Sequence, residues 1–289
     1  MSLFILSLPI IFFNGSVLIA GANEPYKYAD DELVIKIDDV SLPSEVVVEV
    51  INNRTIVPLR VISEDLGARV EWSNSSITIT KSGTPVILKL YSKTAIKNDQ
   101  RVLLDVEPYL KNNQVMVPLR FLSETFGCNV SYKDAKVTIA TSPLFINGVK
   151  VKVTQYEYHM TMGGVISQIK GNAYNKNIYD AFIKNIGRKT DAPASYSWRY
   201  NIDTIGAYYK NAQYDFMDQN GKSIQRFDIY SLVESFPKEL LSKYPKVLLY
   251  DASANQWYLF KYTTPQSIDQ IINTAEKNGF LKVISNTVV

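Results

Sequence analysis

The first half of this chain contains a gapless internal duplication, and nothing else in the sequence constrains the fold as much. Residues 50–80 read VINNRTIVPLRVISEDLGARVEWSNSSITIT, and residues 110–140 read LKNNQVMVPLRFLSETFGCNVSYKDAKVTIA, an offset of 60. Asn-Asn, Val-Pro-Leu-Arg, Ser-Glu, Gly, Val and Thr-Ile recur at matching places. In each copy a short β-type run (Thr55–Val57, Val115–Val117) feeds a proline expected at the first helical position, where its missing N–H costs nothing. An apolar stripe follows at helical spacing, Leu59, Ile62 and Leu66 in one copy and Leu119, Leu122 and Phe126 in the other. Gly67 and Gly127 then stand where a left-handed cap ends the helix.

After each glycine come two strands joined by a tight turn. Val70 and Trp72 are expected to face Ile77 and Ile79 across Ser73-Asn74-Ser75, and Val130 and Tyr132 to face Val137 and Ile139. Between the copies, Val86–Tyr91 and Thr94–Ile96 read as strands, with a turn at Asn98-Asp99. Helices packed on twisted antiparallel sheets are the natural assembly. Arg60 and Arg120 recur and suit an anion clamp. Each also precedes a glutamate by four residues (Glu64, Glu124), and that spacing favours a structural ion pair on one helix face.

This doubled motif resembles the copper amine oxidase N-terminal-like "stalk" domain over about residues 31–141. The resemblance implies a small α+β accessory module of secreted and surface proteins of Gram-positive bacteria. It does not imply amine oxidase chemistry, which needs three histidine ligands for copper, and the chain holds one histidine, His159. Zinc fares no better with one His and one Cys. In an extended segment His159 also points away from Met160 and Met162, so no metal site and no cofactor is expected.

Leu3–Ala20 is almost wholly apolar and closes with Ala20-Gly21-Ala22, a small-x-small pattern that a signal peptidase accepts. No Lys or Arg precedes Lys27, so the usual basic start is missing; an uncleaved anchor is the alternative, and membrane contact is expected only through this segment. The expected organisation is therefore a signal peptide at 1–22, the duplicated module at 23–142 and a Tyr-rich α+β domain at 143–289. A lone cysteine, Cys128, excludes an intrachain disulfide and reads as a small buried hydrophobe. Net charge is +3, which gives no nucleic-acid footprint. It is unevenly spread, with 14 Lys/Arg against 16 Asp/Glu over residues 23–149 and 17 against 12 over 150–289.

Beyond Pro143 the texture changes, and 14 of the 19 tyrosines lie past residue 150. Val151–Met162 and Val165–Lys170 flank Gly163-Gly164, and Tyr214–Asp218 and Ser223–Tyr230 flank Asn220-Gly221, both hairpin signals. Ile178–Ile186, Pro237–Tyr244 and Ser267–Asn278 read as helices, and Lys246–Tyr250, Gln256–Tyr262 and Phe280–Ser285 as strands. The fold class is α+β: a duplicated strand-helix-strand-strand module, then a second α+β domain with an antiparallel sheet. Tyr196, Trp198 and Tyr200 alternate and are expected to share one strand face, making them the candidate binding surface.

No catalytic constellation is evident: there is no G-x-S-x-G elbow, and Asp191, Asp203, Asp215, Asp218 and Asp228 are acids with nothing to choose among them. Asp251–Asn255 lacks the glycine of a calcium loop, since Gln256 holds that place. The expectation is a secreted, non-catalytic protein of the cell envelope that binds a wall polymer or an envelope protein. The alternatives are an extracytoplasmic sensor or inhibitor that binds a peptide or protein, and a carboxylate-dependent wall hydrolase.

Overall fold

The structure, a computed structural model, describes residues 33–73, 76–160 and 162–288. The expected signal segment at 1–22 lies outside the described residues, as do Asn74 and Ser75 of the first tight turn. The fold is α+β, mostly strands with few helices.

The recurring Asn-Asn pairs are hairpin turns. Asn52-Asn53 and Asn112-Asn113 have φ of 49° and 59°, and 48° and 61°, the left-handed pair that a two-residue hairpin needs and that asparagine tolerates. They join Glu49–Ile51 to Arg54–Pro58 and Tyr109–Lys111 to Gln114–Pro118. The inner strands of the two copies then pair antiparallel about Val57↔Val117, with Pro58 opposite Met116 and Ile56 opposite Pro118. Helix α1 (Leu59–Asp65) packs on the second copy's inner strand and α2 (Leu119–Thr125) on the first copy's, so neither copy closes its core alone.

Pro58 and Pro118 are one place earlier than expected: each ends a strand with extended ψ (120° and 126°) and is the helix N-cap. Gly67 and Gly127 cap as expected, with φ of 85° and 65°. Ala68 N–H bonds Ser63 O and Gly67 N–H bonds Glu64 O, and Cys128 and Gly127 repeat this with Ser123 and Glu124, which is a Schellman motif. Val70↔Ile79, Trp72↔Ile77, Val130↔Ile139 and Tyr132↔Val137 pair as the sequence pattern requires. The copies diverge outward. The first hairpin grows into a five-stranded antiparallel sheet through Thr84–Lys89, Thr94–Lys97 and Gln100–Leu103, whereas Val34–Ile37 joins the second hairpin in parallel.

The arginines diverge too. Arg60 lies 3.5 Å from Glu64 and donates at 3.1 Å to Val70 O, so it ties α1 to its hairpin. Among the described residues Arg120 forms no such pair with Glu124; it lines a cleft with Arg54, Val50 and Tyr132.

Residues beyond 150 build one antiparallel sheet in the order Ile186–Thr190, Gln256–Phe260, Val247–Asp251, Ser223–Leu232, Tyr208–Met217, Val153–Met160, Gly163–Ile169, Leu281–Asn286. Tyr196–Ser197 adds a short parallel pairing to Tyr208–Tyr209. Helices α3 (Asn172–Ile183) and α5 (Thr264–Lys277) cover one face through Ile178, Phe182, Ile268 and Ile272, packed with Tyr214, Phe216, Phe227 and Leu249. A second cluster, Tyr208, Tyr230, Leu232, Leu248 and Trp257, alternates with the first along the strands and occupies the opposite face, joined by Leu241 of the one-turn α4 (Lys238–Leu241).

Two expectations shift for physical reasons. The first hairpin reverses before Gly163-Gly164, which belong to the returning strand opposite Met160 and His159. Those glycines serve close approach: a Cβ at Gly164 would lie 2.7 Å from the His159 ring, and one at Gly163 would strike the Thr287 carbonyl. Helix α3 starts six residues before the expected Ile178 because its cap comes from the repeat region. Asp38 accepts from Asn172 N–H (2.8 Å) and Asn172 Nδ2 (3.1 Å) while also accepting from Thr141 N–H (2.8 Å) and Oγ1 (2.7 Å).

A second tie crosses residue 142 nearby. Asp65 Oδ1 accepts from Tyr174 OH at 2.7 Å and from Asn278 Nδ2 at 2.8 Å, in a site where burial pushes the Asp65 carboxyl up to about 7. Buried apolar residues run without a break from Ile35 and Leu66 to Phe182 and Phe280, so the two expected domains share one core.

Candidate functional site

The face of the second sheet that no long helix covers carries the unusual chemistry. A bulge between Lys210 and Ala212 shifts the alternation, so that Tyr208 and Lys210 point to this face with Tyr230 and Leu232, while Ala212, Tyr214 and Phe216 point to the helices. Lys210 is therefore a lysine with 9% of its side chain exposed, held 2.8 Å from Asp228, which is 1% exposed. Arg226 Nε lies 3.3 Å from the other Asp228 oxygen. Both charges of the buried pair are compensated, which burial demands.

Around Lys210 the side chains close a ring. Its ammonium donates to Gln213 Oε1 at 3.1 Å and sits 4.5 Å from the centroid of the Trp198 ring. Gln213 Nε2 reaches Glu157 at 3.5 Å, and Glu157 holds His159 Nε2 at 2.8 Å. His159 then stacks on Trp198, with ring centroids 4.0 Å apart and 11° between planes. Trp198 is thus fastened to two strands at once.

Tyr196, Trp198 and Tyr200 do not share a strand face. The strand stops at Ser197, and the three rings part company. Tyr196 meets Tyr230 and Trp257 edge-on at 5.7 and 4.9 Å, Trp198 enters the ring of contacts just described, and Tyr200 packs on Tyr209 at 4.9 Å. The Ser197 hydroxyl turns the chain here, accepting from Arg199 N–H at 3.0 Å and donating to Arg199 O at 2.9 Å. Trp198 already holds a ring and a cation, so it is not a free platform for a sugar.

Tyr196 and Trp198 anchor a loop that begins just beyond them. From Arg199 to Ile205 the chain leaves the sheet and exposes Tyr200 (53%), Ile202 (57%) and Ile205 (43%). Asn201 props it from within, donating to Thr204 Oγ1 at 3.1 Å and accepting from Asp203 N–H at 3.0 Å. The loop closes where Ala207 N–H bonds Thr204 O (3.2 Å) and Ala207 O accepts from Val233 N–H (2.9 Å). Gly206, at φ 76°, lies so close to the Tyr244 ring that a Cβ would strike it. The surface clefts lined by Asp38 and Lys170, by Arg54 and Arg120, by Lys81 and Phe126, by Arg60 and Ser267, and by Leu103 and Glu124 include no residue of this loop.

Sequence reasoning picked out Trp198 but missed Lys210, Glu157, Gln213 and Ile202. Only the Asn201-x-Asp203 turn had a local signal. Among the candidate acids, Asp228 is sealed by Lys210 and Arg226, Asp218 accepts from Asn220 and Lys222 in its hairpin turn, and burial raises Asp215. Asp215 and Asp228 stand on adjacent strands, close enough for the charge of Asp228 to raise Asp215 further. Asp251 accepts from Ser253 and Ala254 N–H, an ordinary turn. Among the described residues no group of three or more His, Cys, Asp or Glu could hold a metal ion, and His159 is engaged by Glu157 and Trp198, so the copper of the name has no fit here. No helix of the described residues is long and apolar enough to cross a membrane.

Residues 16–141 match the family described as the copper amine oxidase N-terminal domain. The match covers the repeat region, less than half of the chain; that N-terminal domain is a non-catalytic module, and the rest of the chain matches no family. The chain is also 23% identical over 163 residues to a protease inhibitor of Brevibacillus choshinensis, an alignment covering 54% of this chain. It spans about half the length of that curated relative, 48%.

Proposed function

We propose that this is an exported, non-catalytic binding protein of the cell envelope whose partner is another protein, engaged in the manner of an inhibitor. Export rests on the apolar Leu3–Ala20 segment and its Ala20-Gly21-Ala22 end. The observation that carries the partner class is the Arg199–Ile205 loop, which holds large apolar side chains in solvent on a fixed base. Exposed apolar groups on a rigid support are what protein interfaces use as anchors. A wall polymer is the weaker reading, because sugar recognition needs open aromatic faces side by side and Trp198, at the centre of the three, spends its own on His159 and Lys210. The similarity to a protein named as a protease inhibitor supports the same choice.

The test offers the purified protein both partners in parallel. Co-sedimentation with cell-wall sacculi measures the polymer, and hydrolysis of fluorogenic peptides by a panel of secreted endopeptidases measures inhibition. Inhibition of at least one endopeptidase without sedimentation is the expected result. Sedimentation with no inhibition would restore the wall-adaptor reading.

A further inference from the structure

Resting on that reading, we infer that the Arg199–Ile205 loop enters the substrate cleft of an endopeptidase, with Tyr200 and Ile202 filling apolar subsites. The loop's exposed side chains are aromatic and aliphatic, so the receiving surface has to offer apolar subsites. Its backbone is suited to the same receiver. No residue from Arg199 to Ile205 is among the positive-φ residues, and the main-chain groups of Tyr200 and Ile202 have no partner among the described hydrogen bonds. They are free to pair with a cleft strand, as an added strand pairs with a sheet edge.

Both ends are held. Trp198 is locked by His159 and Lys210 on one side, Gly206 and Ala207 are packed against Tyr244 and Val233 on the other, and Asn201 spans the interior. Such a loop loses little conformational entropy on docking, and it cannot fall away if its backbone is cut. Only binding is proposed, with no covalent step.

The experiment measures inhibition constants for wild type, Tyr200→Ala, Ile202→Ala and Leu103→Ala against the endopeptidase the wild type inhibits most strongly. Each protein's thermal unfolding is recorded alongside. Leu103 is an exposed apolar residue of the repeat region and serves as the control. We expect at least tenfold weaker inhibition for Tyr200→Ala and Ile202→Ala with unchanged unfolding, and no change for Leu103→Ala. If the wild type inhibits and the loop variants inhibit equally well, the loop assignment is wrong while the inhibitor reading stands. If cleavage within 199–205 restores full enzyme activity, the loop is a substrate and the assignment is equally wrong. If the wild type inhibits no endopeptidase, the inhibitor reading fails and takes the loop assignment with it.

Discussion

Asp65→Asn isolates the tie that joins the repeat region to the second sheet. Asp65 sits at the end of α1, 1% exposed, with Oδ1 accepting from Tyr174 and Asn278. Its Oδ2 and the nearby Ser63 hydroxyl have no partner among the described residues. Burial is the largest influence on the carboxyl, and the charge of Glu64 adds to it; the two hydrogen bonds pull the other way, and the outcome is a pKa of about 7 against an ordinary 3.8. A carboxyl whose pKa is raised by folding gives its full stability below about pH 4 and loses it as pH climbs through 7. The gap of roughly three pH units, at 1.36 kcal/mol each, sets that loss at about 4 kcal/mol. Asparagine keeps the acceptor for Tyr174 and Asn278 and never ionises. At pH 5, where wild-type Asp65 is neutral, the variant should fall within about 1 kcal/mol of wild type. At pH 8.5 it should be the more stable protein, by about 3 kcal/mol once that small cost is subtracted. Urea unfolding of both proteins at the two pH values is the assay. An equal loss of stability at pH 5 and 8.5 would show instead that Asp65 is ionised throughout this range in the folded protein.

Three further outcomes follow from named contacts. Asp38→Ala strips four hydrogen bonds and the α3 cap, and should cost about 2–4 kcal/mol, whereas Asp39→Asn, at an exposed site whose left-handed backbone asparagine tolerates, should cost under about 0.5 kcal/mol by the same urea assay. Gly67→Ala and Gly127→Ala both strain a left-handed cap, but only Gly67 faces a neighbour at 3.1 Å, Ala173 Cβ, so it should shift the thermal midpoint further. Lys210→Ala leaves Asp228 buried with only the half-exposed Arg226, and should cost about 3–5 kcal/mol, with part recovered in the Lys210→Ala/Asp228→Asn double variant.

Much of the fold was legible because its determinants are local. The Val-Pro-Leu-Arg helices, their capping glycines and the Val70↔Ile79 and Val130↔Ile139 pairings all follow from turn residues and periodicity within about ten residues. What escaped depends on residues far apart in sequence. The start of α3 is fixed by Asp38, 134 residues away, and the shared core is pinned where Asp65 meets Asn278. The duplication hides this second contact, since the residue matching Asp65 is Thr125 and only the first copy has a carboxylate to dock with. The site was legible in one residue. Trp198 stood out as an aromatic, but the bulge beside Lys210 that turns a lysine toward it leaves no local mark, and the loop it anchors contains residues of ordinary type.

A photo-crosslinking amino acid placed at Ile202 in the producing cells shows whether the Arg199–Ile205 loop is the surface that meets a protein partner. The same group at Leu103, 79% exposed on the repeat region, is the comparison. One dominant adduct is expected from position 202, identified by mass spectrometry as an endopeptidase, and no such adduct from position 103. Adducts of equal yield from both positions, or wall material alone from position 202, would contradict that assignment of the loop.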